Sequence, residues 1–98
     1  MATSLSVKKF ILGYDIPEDR LRTRLARFCE RFGVRVQYSV FEFRLTESDY
    51  VAFRGELDRG GWLNGKHALL IYPLHDDDLE NVERHGAVRV WQATFEFL

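Results

Sequence analysis

The chain is expected to fold as an α+β sandwich, a ferredoxin-like βαββαβ order with an extra C-terminal strand-like tail. Three observations predict it. Residues 7–14 and 67–72 are short runs with apolar side chains at both parities, the mark of strands covered on two faces. Residues 17–32 and 46–57 carry their apolar side chains at helical spacing instead. Residues 34–45 alternate as strands do, with one slip of phase. The resulting order is that of the split βαβ motifs, and 98 residues suffice for one such domain, 1–98, and not for two.

Each element has its local reason. The first strand, Val7 to Tyr14, stops at Asp15, and Pro17 is placed at the start of a helix whose positive first turn favours Glu18 and Asp19. Leu21, Leu25, Phe28 and Phe32 share a face of that helix, and Gly33 is its expected stop. In the next segment Val34, Val36, Tyr38 and Val40 hold one parity, while Phe41, Phe43 and Leu45 hold the other. A single straight strand cannot send both sets to one side, so Ser39 to Phe41 predicts a bulge or a tight reversal. Thr46, with Asp49 three residues on, resembles a capping box that opens the second helix, whose apolar face is Tyr50, Phe53 and Leu57. Gly60-Gly61 and Asn64-Gly65 mark a loop. His67 to Tyr72 follows as a strand closed by Pro73, then a short helix over Asp76 to Arg84 and an extended aromatic tail, Val88 to Leu98.

Two helices cover one face of a four-stranded sheet. Ile11, Leu69 and Ile71 on one parity and Leu12, Leu70 and Tyr72 on the other both demand burial, so a second copy of the chain is expected to cover the other face. The formal net charge of −1 offers no bulk attraction for nucleic acid, and any such binding must come from local clustering. The lone cysteine, Cys29, excludes an intramolecular disulfide, fits a reducing compartment and reads as an inert buried thiol. The apolar run before Asp15 is too short for a signal core or a membrane span, so a cytoplasmic protein is expected.

Asp15 is the sharpest chemical residue. A strand-end aspartate serves either to tighten the turn into a helix or to bind a hard cation. One carboxylate is an incomplete Mg²⁺ site, and a two-fold axis near the strand end would bring the second. Tyr14 points to the opposite face by alternation. Residues 18–35 hold six arginines against Glu18, Asp19 and Glu30; Arg20, Arg24, Arg27 and Arg31 recur at helical spacing and Arg22 lies on another side. Such a stripe is either ordinary solvated surface or a ladder for phosphates, which the guanidinium fork grips bidentately. His67, His75 and His85 lack metal-ligand spacing and receive no role, and the acids Asp76 to Asp78 read as solvated.

The stretches Tyr14-Asp15-Ile16-Pro17-Glu18-Asp19-Arg20 and Arg35-Val36-Gln37-Tyr38-Ser39-Val40-Phe41-Glu42 together resemble the small CRISPR-associated endonuclease family, the scaffold partner of the spacer integrase. The resemblance runs from about Lys8 to Pro73, and the tail beyond Val88 carries no sign of it. It favours two strands across residues 34–45. It implies a homodimer that bridges integrase dimers in CRISPR spacer acquisition and binds duplex DNA or RNA. It also implies Mg²⁺ held by Asp15 and its symmetry mate, supporting endonucleolytic phosphodiester hydrolysis. Carried over residue by residue, it selects Tyr14, Asp15, Arg22, Arg24, Arg35, Ser39 and Phe41 as the active-site group. Ser39 would bond a phosphate or stabilise the reversal, and Phe41 would be core or stack on a base. Two other functions suit the same fold: a stand-alone toxin-like ribonuclease, and a non-enzymatic interaction module in which Asp15 is structural.

Overall fold

A computed structural model describes residues 7–86. The elements are β1 (Val7–Asp15), α1 (Asp19–Glu30), β2 (Gly33–Gln37), β3 (Val40–Thr46), α2 (Glu47–Arg59) and β4 (Ala68–Leu74). All neighbours in the sheet are antiparallel, in the order β2-β3-β1-β4. The expected βαββαβ order is therefore present, with both helices on one face. The tail beyond Val88 lies outside the described residues.

Alternation along β1 sends Phe10, Leu12 and Tyr14 under the helices, where they meet Phe41, Phe43 and Leu45 of β3. Leu25, Ala26, Phe28 and Cys29 of α1 and Phe53 and Leu57 of α2 close the core from above. Aromatic rings dominate it: Phe10 stacks on Phe43 at 4.5 Å, and Phe53 lies 4.9 Å from Phe43 and 5.3 Å from Phe28. The capping expectation at α2 holds, since Thr46 Oγ1 accepts from the Asp49 amide.

Several boundaries differ from expectation. Helix α1 starts at Asp19 with Glu18 as N-cap, so Pro17 stays in the turn. Gly33 does not end the helix; Arg31 caps it and Gly33 opens β2. A Cβ on Gly33 would lie 2.6 Å from Glu42 O and from Phe43 Cδ2, so only glycine lets β2 lie this close to β3. The phase slip proves to be a tight reversal at Tyr38–Ser39 and a bulge together, the register shifting between Arg35 and Gln37. The extra residue places Val34 opposite Glu42 and sends the valine set to the face away from the helices, while Phe41, Phe43 and Leu45 stay beneath them. Strand β4 runs through Pro73 to Leu74; an edge strand tolerates the missing amide. Residues 76–81 form successive turns, not a helix.

Those turns matter for the second face. Arg84 reaches back to Glu42 with two hydrogen bonds of 2.7 and 2.8 Å, and Lys9 meets the Asp76 carbonyl and Glu80. The chain itself thus covers much of the sheet's second face, burying Val36, Leu79 and the carboxylate of Glu42. This corrects the expectation that a second copy must cover all of it. What remains open is the β4 side, where Leu70 and Tyr72 are 56% and 55% exposed.

Candidate active site

Asp15 ends β1 opposite Ala68 of β4, and alternation puts it with Ile11 and Gly13 on the face away from the helices. Its carboxylate is exposed and has no hydrogen-bond or ion-pair partner among the described residues. The turn that follows is held by Arg22, whose Nη1 donates to the Ile16 and Pro17 carbonyls at 2.9 and 3.1 Å while Nη2 meets Asp19. Glu18 leaves its capping place unused and bonds His67 Nε2 at 2.7 Å, and His67 Nδ1 bonds the Trp62 carbonyl. With its side chain 1% exposed, His67 ties the start of β4 to the start of α1.

Beside Asp15, the Tyr14 amide donates to Ser39 O at 3.1 Å, joining the end of β1 to the β2–β3 reversal. Arg35 closes that reversal by donating from Nε and Nη2 to Tyr38 O, with its guanidinium over the Tyr38 and Phe41 rings. The Tyr14 ring is buried on Phe41, and by geometry its hydroxyl has no hydrogen-bond partner among the described residues. Burial pushes that hydroxyl's pKa up, against a smaller opposing pull from Arg35, whose guanidinium is committed to Tyr38 O.

The fold therefore brings Tyr14, Asp15, Arg35, Ser39 and Phe41 to one end of the sheet. Phe41 is fully buried, which leaves no ring face for a base and assigns it to the core. Arg22 belongs to the adjoining turn. Arg24 stands apart: it donates to Gly60 O at 2.8 Å and lies over the Trp62 ring.

Among the described residues, no three His, Cys, Asp or Glu side chains gather as metal ligands. Of the five residues at this end of the sheet, Asp15 offers the hard, uncommitted oxygen donors that Mg²⁺ takes, and one carboxylate with open positions fits that ion's preference for few protein ligands.

Against known proteins, residues 8–82 match the family model described as CRISPR associated protein Cas2. The chain belongs to the Cas2 family. A relative from Synechocystis, named CRISPR-associated endoribonuclease Cas2 3, is 38% identical over 77 residues, covering 79% of this chain and 83% of its own. The crystal structure of a hypothetical protein from Thermus thermophilus superposes with a TM-score of 0.69 and 35% identity, covering 87% of this chain and 98% of that one. A chain of a partial Cas6-RT-Cas1–Cas2 complex shares the fold at a TM-score of 0.58 and 23% identity, covering 79% of this chain and 89% of its own.

Two positioning contacts of this Cas2-family chain escaped sequence reading. Glu18 and His67 lie 49 positions apart, and Glu42 and Arg84 lie 42 apart. Only a charged Glu42 set among Val40, Phe41 and Phe43 hints at the second in the sequence, and nothing there marks its distant partner.

Proposed function

We propose that this chain acts in the cytoplasm as a homodimer in CRISPR spacer acquisition, bridging integrase subunits and binding duplex DNA or RNA, with Mg²⁺-dependent endonuclease activity. The observation that carries the catalytic part is the uncommitted Asp15 carboxylate at a strand end, on the face the helices leave free. Membership of the family and the Cas1-containing complex of a distant relative support the adaptation role. The exposed pair Leu70 and Tyr72, on the same face and parity as Asp15, supports an isologous contact.

In this reading Asp15 and its counterpart in the second copy hold the metal. When bound, Mg²⁺ activates water and neutralises charge on the scissile phosphate. The chain's own residues fix the geometry. Arg22 locks the turn after Asp15 through two carbonyls, and the Tyr14–Ser39 bond holds the strand end against the reversal. The half-exposed Ser39 stands at that reversal within reach of a backbone laid across the strand end. Arg22 and Arg35 supply positive charge on either side.

The test is cleavage of labelled RNA and duplex DNA with Mg²⁺ and with chelator. Asp15→Asn should abolish Mg²⁺-dependent cleavage and keep the wild-type circular dichroism spectrum. Leu70→Asp with Tyr72→Asp should convert the dimer to monomer in sedimentation and lose cleavage with it. A fully active Asp15→Asn protein removes Asp15 from the mechanism. An inactive wild type that still dimerises and binds duplex leaves only the scaffold role.

A further inference from the structure

A small hollow lies on the helix side of the sheet, between α1 and the β2–β3 reversal, on the face opposite to that of Asp15. It holds about 260 Å³, and its lining includes Arg22, Thr23, Arg27, Glu30, Arg35 and Tyr38. Most small-molecule sites hold about 300–1,000 Å³, so this one suits a single small molecule and no length of chain. Thr23, Arg27 and Glu30 stand at i, i+4 and i+7 on α1 and make one wall. Arg35 and Tyr38 make the other.

Two of its arginines are already committed. Arg22 donates to the Ile16 and Pro17 carbonyls. Arg35 gives Nε and Nη2 to Tyr38 O and brings Nη1 to 3.9 Å from Glu30 Oε2. Arg35 therefore sets both neighbours: it holds the turn that carries the Tyr38 ring, and it orients the Glu30 carboxylate. Its guanidinium lies 5.8 Å from the centre of the Tyr38 ring, which is nonetheless 88% exposed. Three groups are left for a ligand. Tyr38 offers a ring face, Glu30 a carboxylate with a single long ion pair, and Arg27 a guanidinium with no hydrogen-bond or ion-pair partner among the described residues. Arg27 stands in the last turn of α1, where a cation also offsets the negative helix end. That role explains neither the exposed ring nor the carboxylate set beside it.

A flat ring, an acceptor-only carboxylate and a guanidinium are the complements of a base, its N–H edge and a phosphate. The carboxylate decides which base. Guanine turns two adjacent N–H groups, on N1 and N2, toward two such oxygens. Adenine and cytosine each put a ring-nitrogen lone pair next to their amine, and uracil flanks its one N–H with two carbonyls. Each of these would set a lone pair against Glu30. We infer that this hollow binds a free guanosine phosphate, with the base on Tyr38, its Watson–Crick edge on Glu30 and its phosphate on Arg27. These three residues stand outside the group assigned to phosphodiester hydrolysis, so the inference does not rest on that reading.

The experiment is calorimetric titration of the full chain with GMP, AMP, CMP, UMP, guanosine and inorganic phosphate. GMP should bind at least about tenfold more tightly than the other nucleotides, the discrimination of one good bidentate pair. Tyr38→Ala should weaken GMP about tenfold through lost stacking. Arg27→Ala should make GMP and guanosine bind alike. Glu30→Gln sets a donor beside an acceptor and should move the preference from GMP to AMP. All three side chains are exposed, and an unchanged circular dichroism spectrum checks that each variant folds. The site is overturned if the wild type binds no nucleotide or all four alike, if phosphate competes as well as GMP, or if Glu30→Gln keeps the wild-type order. A 5′-phosphorylated trinucleotide beginning with guanosine that binds more tightly than GMP overturns the monomer as ligand. None of these outcomes touches Asp15-dependent cleavage, which is measured separately.

Discussion

The Tyr14 amide donates to the Ser39 carbonyl, although the pairing of β1 with β3 stops one residue earlier, at Gly13 opposite Val40. That bond fastens the last turn of β1 to a reversal which Arg35 has already closed through Tyr38 O. Asp15 is the next residue. Its position is thus fixed from three sides: by this bond, by β4 at Ala68, and by the Arg22 staple on the turn behind it. Under the proposed metal reading, a carboxylate with no partner among the described residues, set in so constrained a backbone, would meet its cation with little ordering still to do.

The Tyr14 hydroxyl is the weak point of that arrangement. A buried hydroxyl without a partner forfeits about 1–3 kcal/mol of solvation. Tyr14→Phe should therefore keep stability or raise it by about 1 kcal/mol in urea unfolding. A loss of that size instead would show that the hydroxyl is satisfied in solution.

On the opposite face, Glu42 and Arg84 share a buried bidentate ion pair, with side chains 3% and 14% exposed. Glu42→Ala removes the carboxylate of this buried pair and should destabilise by about 3 kcal/mol in urea unfolding. Glu42→Leu combined with Arg84→Met should recover most of that loss. Equal destabilisation in the single and double variants would show that apolar side chains cannot replace the pair's packing.

Cys29 is fully buried, and burial, helped by the neighbouring Glu30, pushes its thiol from an ordinary 9.0 up to about 12. The folded chain therefore holds this proton more tightly than the unfolded chain. The stability it contributes is complete below 9.0 and is lost as pH rises through about 12. Iodoacetamide at pH 8 should label Cys29 only after unfolding; rapid labelling of the native protein would contradict the burial.

Most of the fold was legible because local chemistry and tertiary position agree. The Thr46 cap, the helical spacing of Leu25 and Phe28 and the paired parities of β1 each need only neighbours in sequence to be read. The bulge was half legible: a phase slip announces itself, but a single residue decides which face each set takes, and that follows from the Gly33–Phe43 approach across strands. The expected helix at Asp76 to Arg84 failed for a related reason. The long-range pull of Glu42 on Arg84 and of Lys9 on the Asp76 carbonyl draws those residues over the sheet, and Asp76 adopts a positive φ of 47°. At the site, the strand-end position of Asp15 was plain, whereas the commitment of Arg22 and Arg24 to backbone carbonyls was not, because an arginine's partner leaves no mark in its own neighbourhood.

Pro73 sits within β4 at the border of the sheet, level with Phe10. A strand arriving from outside would find one rung absent from its ladder there, close to the exposed Leu70 and Tyr72. Pairing along this border is therefore confined to the stretch before the proline, and its register is limited by that gap. Replacing Pro73 with valine would restore an unbroken row of donors beside an apolar patch, the combination from which disordered chain-to-chain stacking grows. The proline thus makes this border a poorer template for an added strand than the residues before it.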